Sequence, residues 1–167
     1  LDCSTEVKQL EVMDELDKMH PADIVNTFLG AHAVPEGYKD RQDAFIDYLI
    51  DVVMPQVTDR NLAEFCDVFC EEGIFTIDQT RRILLAAKNM GLETQIHIDE
   101  IVDTNGAQLA AELQALQTGH LLKSNEPGLH ALADKQVVAT LLPGTPFCLM
   151  LNKYAKARKM IDMGIPV

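Results

Sequence analysis

The chain has 167 residues, of which 47% are hydrophobic, and a formal net charge of −12 from 26 acidic and 14 basic residues. This length and apolar content allow one domain with a buried core. The acidic balance disfavours binding to nucleic acids or anionic membranes, because both attract clusters of Lys and Arg. We therefore expect a small-molecule ligand.

The first elements along the chain are predicted to be a helix, a strand and a second helix. Residues 4–19 place apolar side chains at helical spacing, and residues 24–33 are apolar and rich in strand formers. A turn is predicted around Pro35 and Gly37. The apolar stripe within residues 44–53 then predicts the helix that completes one β/α unit.

The same alternation continues through the rest of the chain. Strands are predicted at residues 65–70, 94–98, 120–122 and 137–142, with a further strand beginning at Ile165. The helices between them include one opened by a capping box at residues 76–79 and closed by Gly91, one carrying Leu109 and Leu113, one started by Pro127, and a last one at residues 155–163. Short apolar strands separated by helices predict a parallel sheet covered on both faces.

Two architectures fit this order of elements. A doubly wound sheet can be complete at this length, whereas a closed (β/α)8 barrel usually needs about 250 residues. The sequence contains neither GxGxxG nor a P-loop, which disfavours a nucleotide site. The chain begins at Leu1 without an initiator Met and ends as a strand begins, so we expect it to be a segment of something longer.

The spacing of the cysteines and the hydropathy of the chain indicate the cellular compartment in which it is expected. The four cysteines lack CxxC spacing, which disfavours a disulfide framework or a closed zinc knuckle and is typical of a reducing cytoplasm. The sequence contains no apolar run of about 18 residues, the length that predicts a membrane span.

Three histidines stand where predicted strands begin or end: His32, His97 and His120. Alternating α/β folds keep their active sites at one rim, so these imidazoles are expected to lie close together. Imidazole is the commonest protein ligand for zinc and binds iron well, so the pattern favours metal-assisted hydrolysis. A histidine at a strand end is otherwise more often a hydrogen-bonded structural residue.

Five phrases, in this order, carry a resemblance to a known family: NTFLGAHAVP, FCDVFCEEGIF, QIHIDE, GHLL and LLPGTPFCL. They resemble the central and later strands of imidazolonepropionase, a family of the amidohydrolase superfamily, and the resemblance covers essentially the whole chain. It implies an incomplete (β/α)8 barrel, from roughly the third strand to the start of the eighth. Residues 1–167 would then be a single, partial catalytic domain.

The resemblance also implies an activity and a metal. The family hydrolyses 4-imidazolone-5-propanoate to N-formimidoyl-glutamate in histidine degradation, with one zinc or iron ion held by an HxH pair, a fifth-strand histidine and an eighth-strand aspartate. His97 matches the fifth-strand metal ligand, and Glu100 matches the nearby acid that contacts substrate or shuttles protons. His32 and His120 match histidines that face the substrate. This chain contains no HxH pair and ends before the expected aspartate.

Chemical roles follow for these residues in the intact enzyme. Glu100 would act as general base and then general acid, and His120 would donate to the oxyanion of the tetrahedral intermediate. His32 would position the ring or the propionate. For Glu100 the alternative is a charge at the N-terminus of the following loop or helix, and for Glu71 we expect a structural salt bridge.

Two other functions stay open at this point. One is a related amidohydrolase such as a cyclic deaminase, and the other is a non-catalytic α/β binding module with a doubly wound sheet. A barrel that lacks strands exposes two sheet edges, so we expect a homo-oligomer. The segment alone is expected to be inactive.

Overall fold

The computed structural model describes residues 3–167, with residue 3 described by its backbone alone. The strands are β1 (Thr27–Ala31), β2 (Phe65–Cys70), β3 (Glu93–Ile98), β4 (Gln117–His120) and β5 (Val138–Thr140). The α-helices are α1 (Cys3–Asp17), α2 (Gln42–Tyr48), α3 (Met54–Thr58), α4 (Ile77–Asn89), α5 (Gly106–Glu112), α6 (Glu126–Lys135), α7 (Gly144–Cys148) and α8 (Ala157–Asp162). A 3-10 turn (Glu36–Tyr38) precedes α2, and a π-helical turn (Leu49–Val53) joins α2 to α3.

The five strands form one parallel sheet in the order β1-β2-β3-β4-β5. A doubly wound sheet reverses its strand order at a switch point, whereas a (β/α)8 barrel keeps chain order from strand to strand. The backbone N–H of Ala139 on β5 donates to the carbonyl of Pro166 at 2.7 Å, so the segment after α8 lies beside β5. The fold is therefore an incomplete (β/α)8-type barrel, and the doubly wound alternative is wrong.

One face of the sheet packs against helices. Cys66, Val68 and Cys70 of β2 are fully buried, as are Ile96 and Ile98 of β3. Because side chains alternate between the two faces of a strand, these residues share the helix-covered side. The apolar core of the chain lies between this face and the helices.

The opposite face carries polar side chains. Asp67, Gln95, His97 and Gln117 occupy the alternate positions of β2, β3 and β4, and Val138 of β5 is 37% exposed. The expectation of a sheet covered on both faces is therefore wrong for the described residues. This face corresponds to the interior of a barrel, where alternating positions need not be apolar.

Element boundaries differ from the sequence predictions where backbone geometry decides them. The strand predicted at residues 120–122 is observed at Gln117–His120, because His120 and Leu121 adopt positive φ angles of 72° and 59° that end the strand. Helix α7 was not predicted at all. The capping box is confirmed: the Thr76 hydroxyl accepts from Gln79 N, and the Gln79 side chain accepts from Thr76 N.

Candidate functional site

The three predicted histidines lie side by side at the carboxyl-terminal edge of the sheet. His32 follows β1, His97 lies in β3 and His120 ends β4. The ring centroids of His32 and His97 are 5.1 Å apart, and those of His97 and His120 are also 5.1 Å apart. Phe69 of β2 stacks on His32 at 6.2 Å. The sheet thus brings together three imidazoles from strands that are not all adjacent.

Asp67 lies between two of these rings. Its Oδ1 atom is 2.7 Å from Nδ1 of His97 and 3.5 Å from Nε2 of His32, and its side chain is 3% exposed. Asp67 was not among the site residues predicted from the sequence. The signal was present in the run EFCDVFC, where the period-two alternation puts Asp67 on the face opposite the buried Cys66 and Val68.

His32 has one satisfied and one unsatisfied ring nitrogen. Its Nδ1 lies 3.2 Å from the carbonyl of Leu29, which fits an N–H donor at Nδ1. Its Nε2 is buried and forms no hydrogen bond. Burial lowers the pKa of His32, an effect that the Asp67 carboxylate opposes. The unpaired Nε2 is therefore an available ligand or hydrogen-bond acceptor beside a carboxylate.

The pKa of His97 is shifted in the opposite direction from that of His32. Burial alone lowers its pKa, but the hydrogen bond and charge of Asp67 and the charge of Glu100 outweigh burial, and the net pKa is raised. The ring therefore lies near two negatively charged carboxylates, those of Asp67 and Glu100. Such a surrounding favours a positive charge on or beside the imidazole.

His120 and Glu100 form the second half of the site. His120 Nε2 lies 3.4 Å from Glu100 Oε2, and His120 Nδ1 is buried without a hydrogen-bond partner. Burial, together with the charge of His97, lowers the pKa of His120 to about 4. Burial and the charge of Glu71 raise the pKa of Glu100. A carboxyl group with a raised pKa beside a neutral imidazole is suited to proton transfer near neutral pH.

Glu71, directly after β2, holds the loop that carries Glu100. Its two carboxylate oxygens accept from the backbone N–H groups of Glu100 at 3.1 Å, Ile101 at 2.9 Å and Val102 at 3.3 Å, and from Glu72 N at 3.0 Å. The predicted salt bridge is wrong, because the partners are backbone N–H groups. Glu100 does not lie in the first turn of a helix, since α5 begins at Gly106; it lies at the start of the loop that follows β3.

Asp99 holds the remainder of the same loop. This buried carboxylate accepts from the backbone and hydroxyl of Thr104, from Gly106 N and, at 2.6 Å, from the hydroxyl of Ser124. Ser124 lies in the loop after β4. The loops after β3 and β4 are therefore tied together by a bond between residues that lie close to Glu100 and His120 in the sequence.

The donor set fits a divalent metal. Ligand atoms of His32, Asp67 and His97 all lie within 4.8 Å of one another. Two imidazoles and a carboxylate are ligands that zinc and iron both accept. The buried, unpaired Nε2 of His32 also fits a site that gains a partner when an ion or a substrate binds.

The chain is similar in sequence to known proteins of one kind. An imidazolonepropionase of Alkaliphilus metalliredigens is 53% identical over all 167 residues, and one of Clostridium tetani is 54% identical over 164 residues, or 98% of this chain. An imidazolonepropionase of Geobacillus thermodenitrificans is 52% identical over 97% of the chain. The whole chain is similar to part of imidazolonepropionase. It spans 38–40% of the length of these relatives. No protein-family profile matches it.

A solved structure has a similar fold over most of this chain. A Xaa-Pro dipeptidase crystallised with bound methionine aligns with a TM-score of 0.53 and 12% sequence identity, over 72% of this chain and 36% of the dipeptidase. At this identity the likeness concerns the fold alone. Within the described residues, no helix combines the length and hydropathy that a membrane crossing requires.

Proposed function

We propose that this chain is part of a metal-dependent hydrolase that opens the ring of 4-imidazolone-5-propanoate to give N-formimidoyl-glutamate. The observation that carries the proposal is the grouping of His97, Glu100 and His120 at neighbouring strand ends, in a chain 53% identical to an imidazolonepropionase over its full length. These are the residues to which the family resemblance gives metal, proton-transfer and substrate roles.

The metal would be held by His97 together with ligands outside this chain, and zinc or iron suits such a histidine. A bound divalent ion supplies a nucleophile, because it lowers the pKa of a water molecule from 15.7 to about 7. His32 and Asp67 lie close enough to His97 to influence the same ion. The remaining chemistry belongs to Glu100, His120 and His32.

Glu100 is the proton carrier in this proposal. Hydrolysis adds the oxygen of water to the ring carbonyl carbon and breaks the adjacent C–N bond, so one water proton must reach the departing ring nitrogen. The Glu100 carboxylate would accept that proton and then donate it. Its pKa, raised by burial and by Glu71, brings the carboxyl closer to the pH at which both transfers are efficient.

His120 and His32 would act on the substrate directly. His120 faces Glu100, and its imidazole is neutral at physiological pH because its pKa is lowered to about 4. An N–H of this uncharged ring can donate a hydrogen bond to the developing oxyanion. His32 keeps an unpaired Nε2, which can accept from a ring N–H of the substrate. Both roles use neutral imidazoles.

The test is the substitution Glu100→Gln in the complete gene product. We expect kcat to fall by about 10²- to 10⁴-fold, because the proton carrier is lost, while the bound metal is retained. The matched control is Glu72→Gln, at an exposed carboxylate nearby, which is expected to leave kcat unchanged. Parental activity in Glu100→Gln would contradict the proposed role. Release of ammonia with an intact ring would indicate the deaminase alternative instead.

Finer assignments are part of the same proposal. Residues 1–167 would form one partial catalytic domain, and the partner is a small molecule rather than nucleic acid, in keeping with a net charge of −12. Cys66, Cys70 and Cys148 are free thiols, which supports a cytoplasmic location. Exposed apolar side chains at Phe147 and Met150 support a homo-oligomer.

A further inference from the structure

Asp67 is a buried carboxylate that the proposed chemistry leaves without a role. It lies on the same face of the sheet as His97, in the neighbouring strand β2, and no Lys or Arg in the described chain forms an ion pair with it. Burying an unpaired carboxylate is costly. Its partners are two histidines, with His97 Nδ1 at hydrogen-bond distance and His32 Nε2 at 3.5 Å.

We propose that Asp67 is a positioning residue, which holds His97 in the tautomer that carries its proton on Nδ1 and leaves the Nε2 lone pair free for the metal. The inference rests on the proposed function, in which His97 is a metal ligand. Metal-bound histidines commonly donate their other N–H to a carboxylate, which fixes the ring and raises its basicity as a ligand.

The distance between the two residues favours this arrangement over direct ligation by Asp67 Oδ1 and His97 Nδ1 together. Two ligands on one tetrahedral zinc ion, each at 2.0–2.1 Å, lie about 3.3 Å apart. The Asp67 Oδ1 and His97 Nδ1 atoms are 2.7 Å apart, which is the separation of a charge-assisted hydrogen bond. A proton, rather than a metal ion, belongs between these atoms.

Gly119 allows the His97 ring to lie close against β4. A Cβ atom at position 119 would lie 3.1 Å from Cδ2 and 3.3 Å from Nε2 of His97. Gly119 is the residue of β4 that pairs with His97 in the sheet. The imidazole is therefore held on its Nδ1 side by Asp67, and any side chain at position 119 would press on the ring near Nε2.

The first measurement is zinc affinity in the complete gene product, determined by competition with a chelator for the parent, Asp67→Ala, Asp67→Asn and His97→Ala. We expect Asp67→Ala to weaken zinc binding by about 10- to 100-fold, the usual effect of removing such a partner. Asp67→Asn should also weaken it, because a carboxamide accepts less strongly and can donate to Nδ1. Glu6→Gln, at a buried carboxylate on α1, is the matched control and should keep the parental affinity.

The second measurement is the ¹⁵N NMR tautomer state of His97 in zinc-free protein, which does not depend on metal binding. We expect Nδ1 to be protonated in the parent and a mixture of tautomers in Asp67→Ala. A parent with Nε2 protonated, parental zinc affinity in both Asp67 variants, or a loss as complete as in His97→Ala would each overturn the inference. A parent that binds no zinc or iron but shows the expected tautomer would instead count against the proposed function.

Discussion

The loop that carries Glu100 is predicted to depend on Glu71. The change Glu71→Ala removes the acceptor of four backbone N–H groups, those of Glu72, Glu100, Ile101 and Val102. Ile101 is 61% exposed, so water can reach part of this loop and replace some of the lost bonds. If two of the four donors stay unsatisfied at about 1–3 kcal/mol each, the free energy of unfolding falls by about 2–6 kcal/mol.

The isosteric change Glu71→Gln separates charge and geometry from side-chain volume. Oε2 accepts from Glu100 and Ile101, and Oε1 accepts from Glu72 and Val102. Replacing either oxygen by an NH₂ group sets donors against two N–H groups. We therefore expect Glu71→Gln to lose about half of the stabilisation that Glu71→Ala loses, or more, and to lower kcat by displacing Glu100.

The assay is urea unfolding of the complete gene product, followed by circular dichroism, with kcat measured on the same preparations. The neighbouring exposed substitution Glu72→Gln is the control and should change the free energy of unfolding by less than about 0.5 kcal/mol. If Glu71→Ala unfolds at the parental urea concentration and keeps the parental kcat, the argument that Glu71 orders the Glu100 loop is refuted.

Two further predictions concern other parts of the fold. Gly119→Ala should lower zinc affinity about tenfold, measured by chelator competition, because its Cβ would press on the His97 ring; the free energy of unfolding should stay within about 1 kcal/mol of the parent. Glu6, whose pKa is raised by burial despite a hydrogen bond from Leu29 N, binds its proton more tightly in the folded state. The contribution of Glu6 to stability is thus present at low pH and is lost as pH rises above 4.5 through the folded pKa. We therefore expect Glu6→Gln to be more stable than the parent at pH 7 but not at pH 4. An equal effect of the substitution at both pH values would contradict this prediction.

The order of elements and the shared rim of histidines followed from the sequence, because both depend on local patterns. Apolar runs such as residues 65–70 alternated with helices that carry their own signals, including the capping box at Thr76. Parallel strands place their carboxyl ends at one edge, so His97 and His120 were expected to meet. The resemblance of five phrases to one family then distinguished the barrel from the doubly wound sheet.

What the sequence could not supply were interactions between segments far apart in the chain. Glu71 accepts hydrogen bonds from residues about 30 positions later in the chain, and Asp67 of β2 contacts His97 of the neighbouring strand β3. Neither set of partners can be identified from a local sequence pattern. The β4 boundary was missed because positive φ angles at His120 and Leu121 reflect tertiary contacts rather than residue type. The side chains that support the site are therefore the ones that needed the structure.

In the proposed function, these strand ends belong to a ring-opening hydrolase. The most direct measurement is mass spectrometry of the product that the complete gene product forms from 4-imidazolone-5-propanoate in ¹⁸O-labelled water. We expect N-formimidoyl-glutamate with one ¹⁸O atom in the new carboxylate, no release of ammonia, and loss of the product when His97 is replaced by Ala. An unchanged substrate, or a product that keeps its ring and releases ammonia, would contradict it.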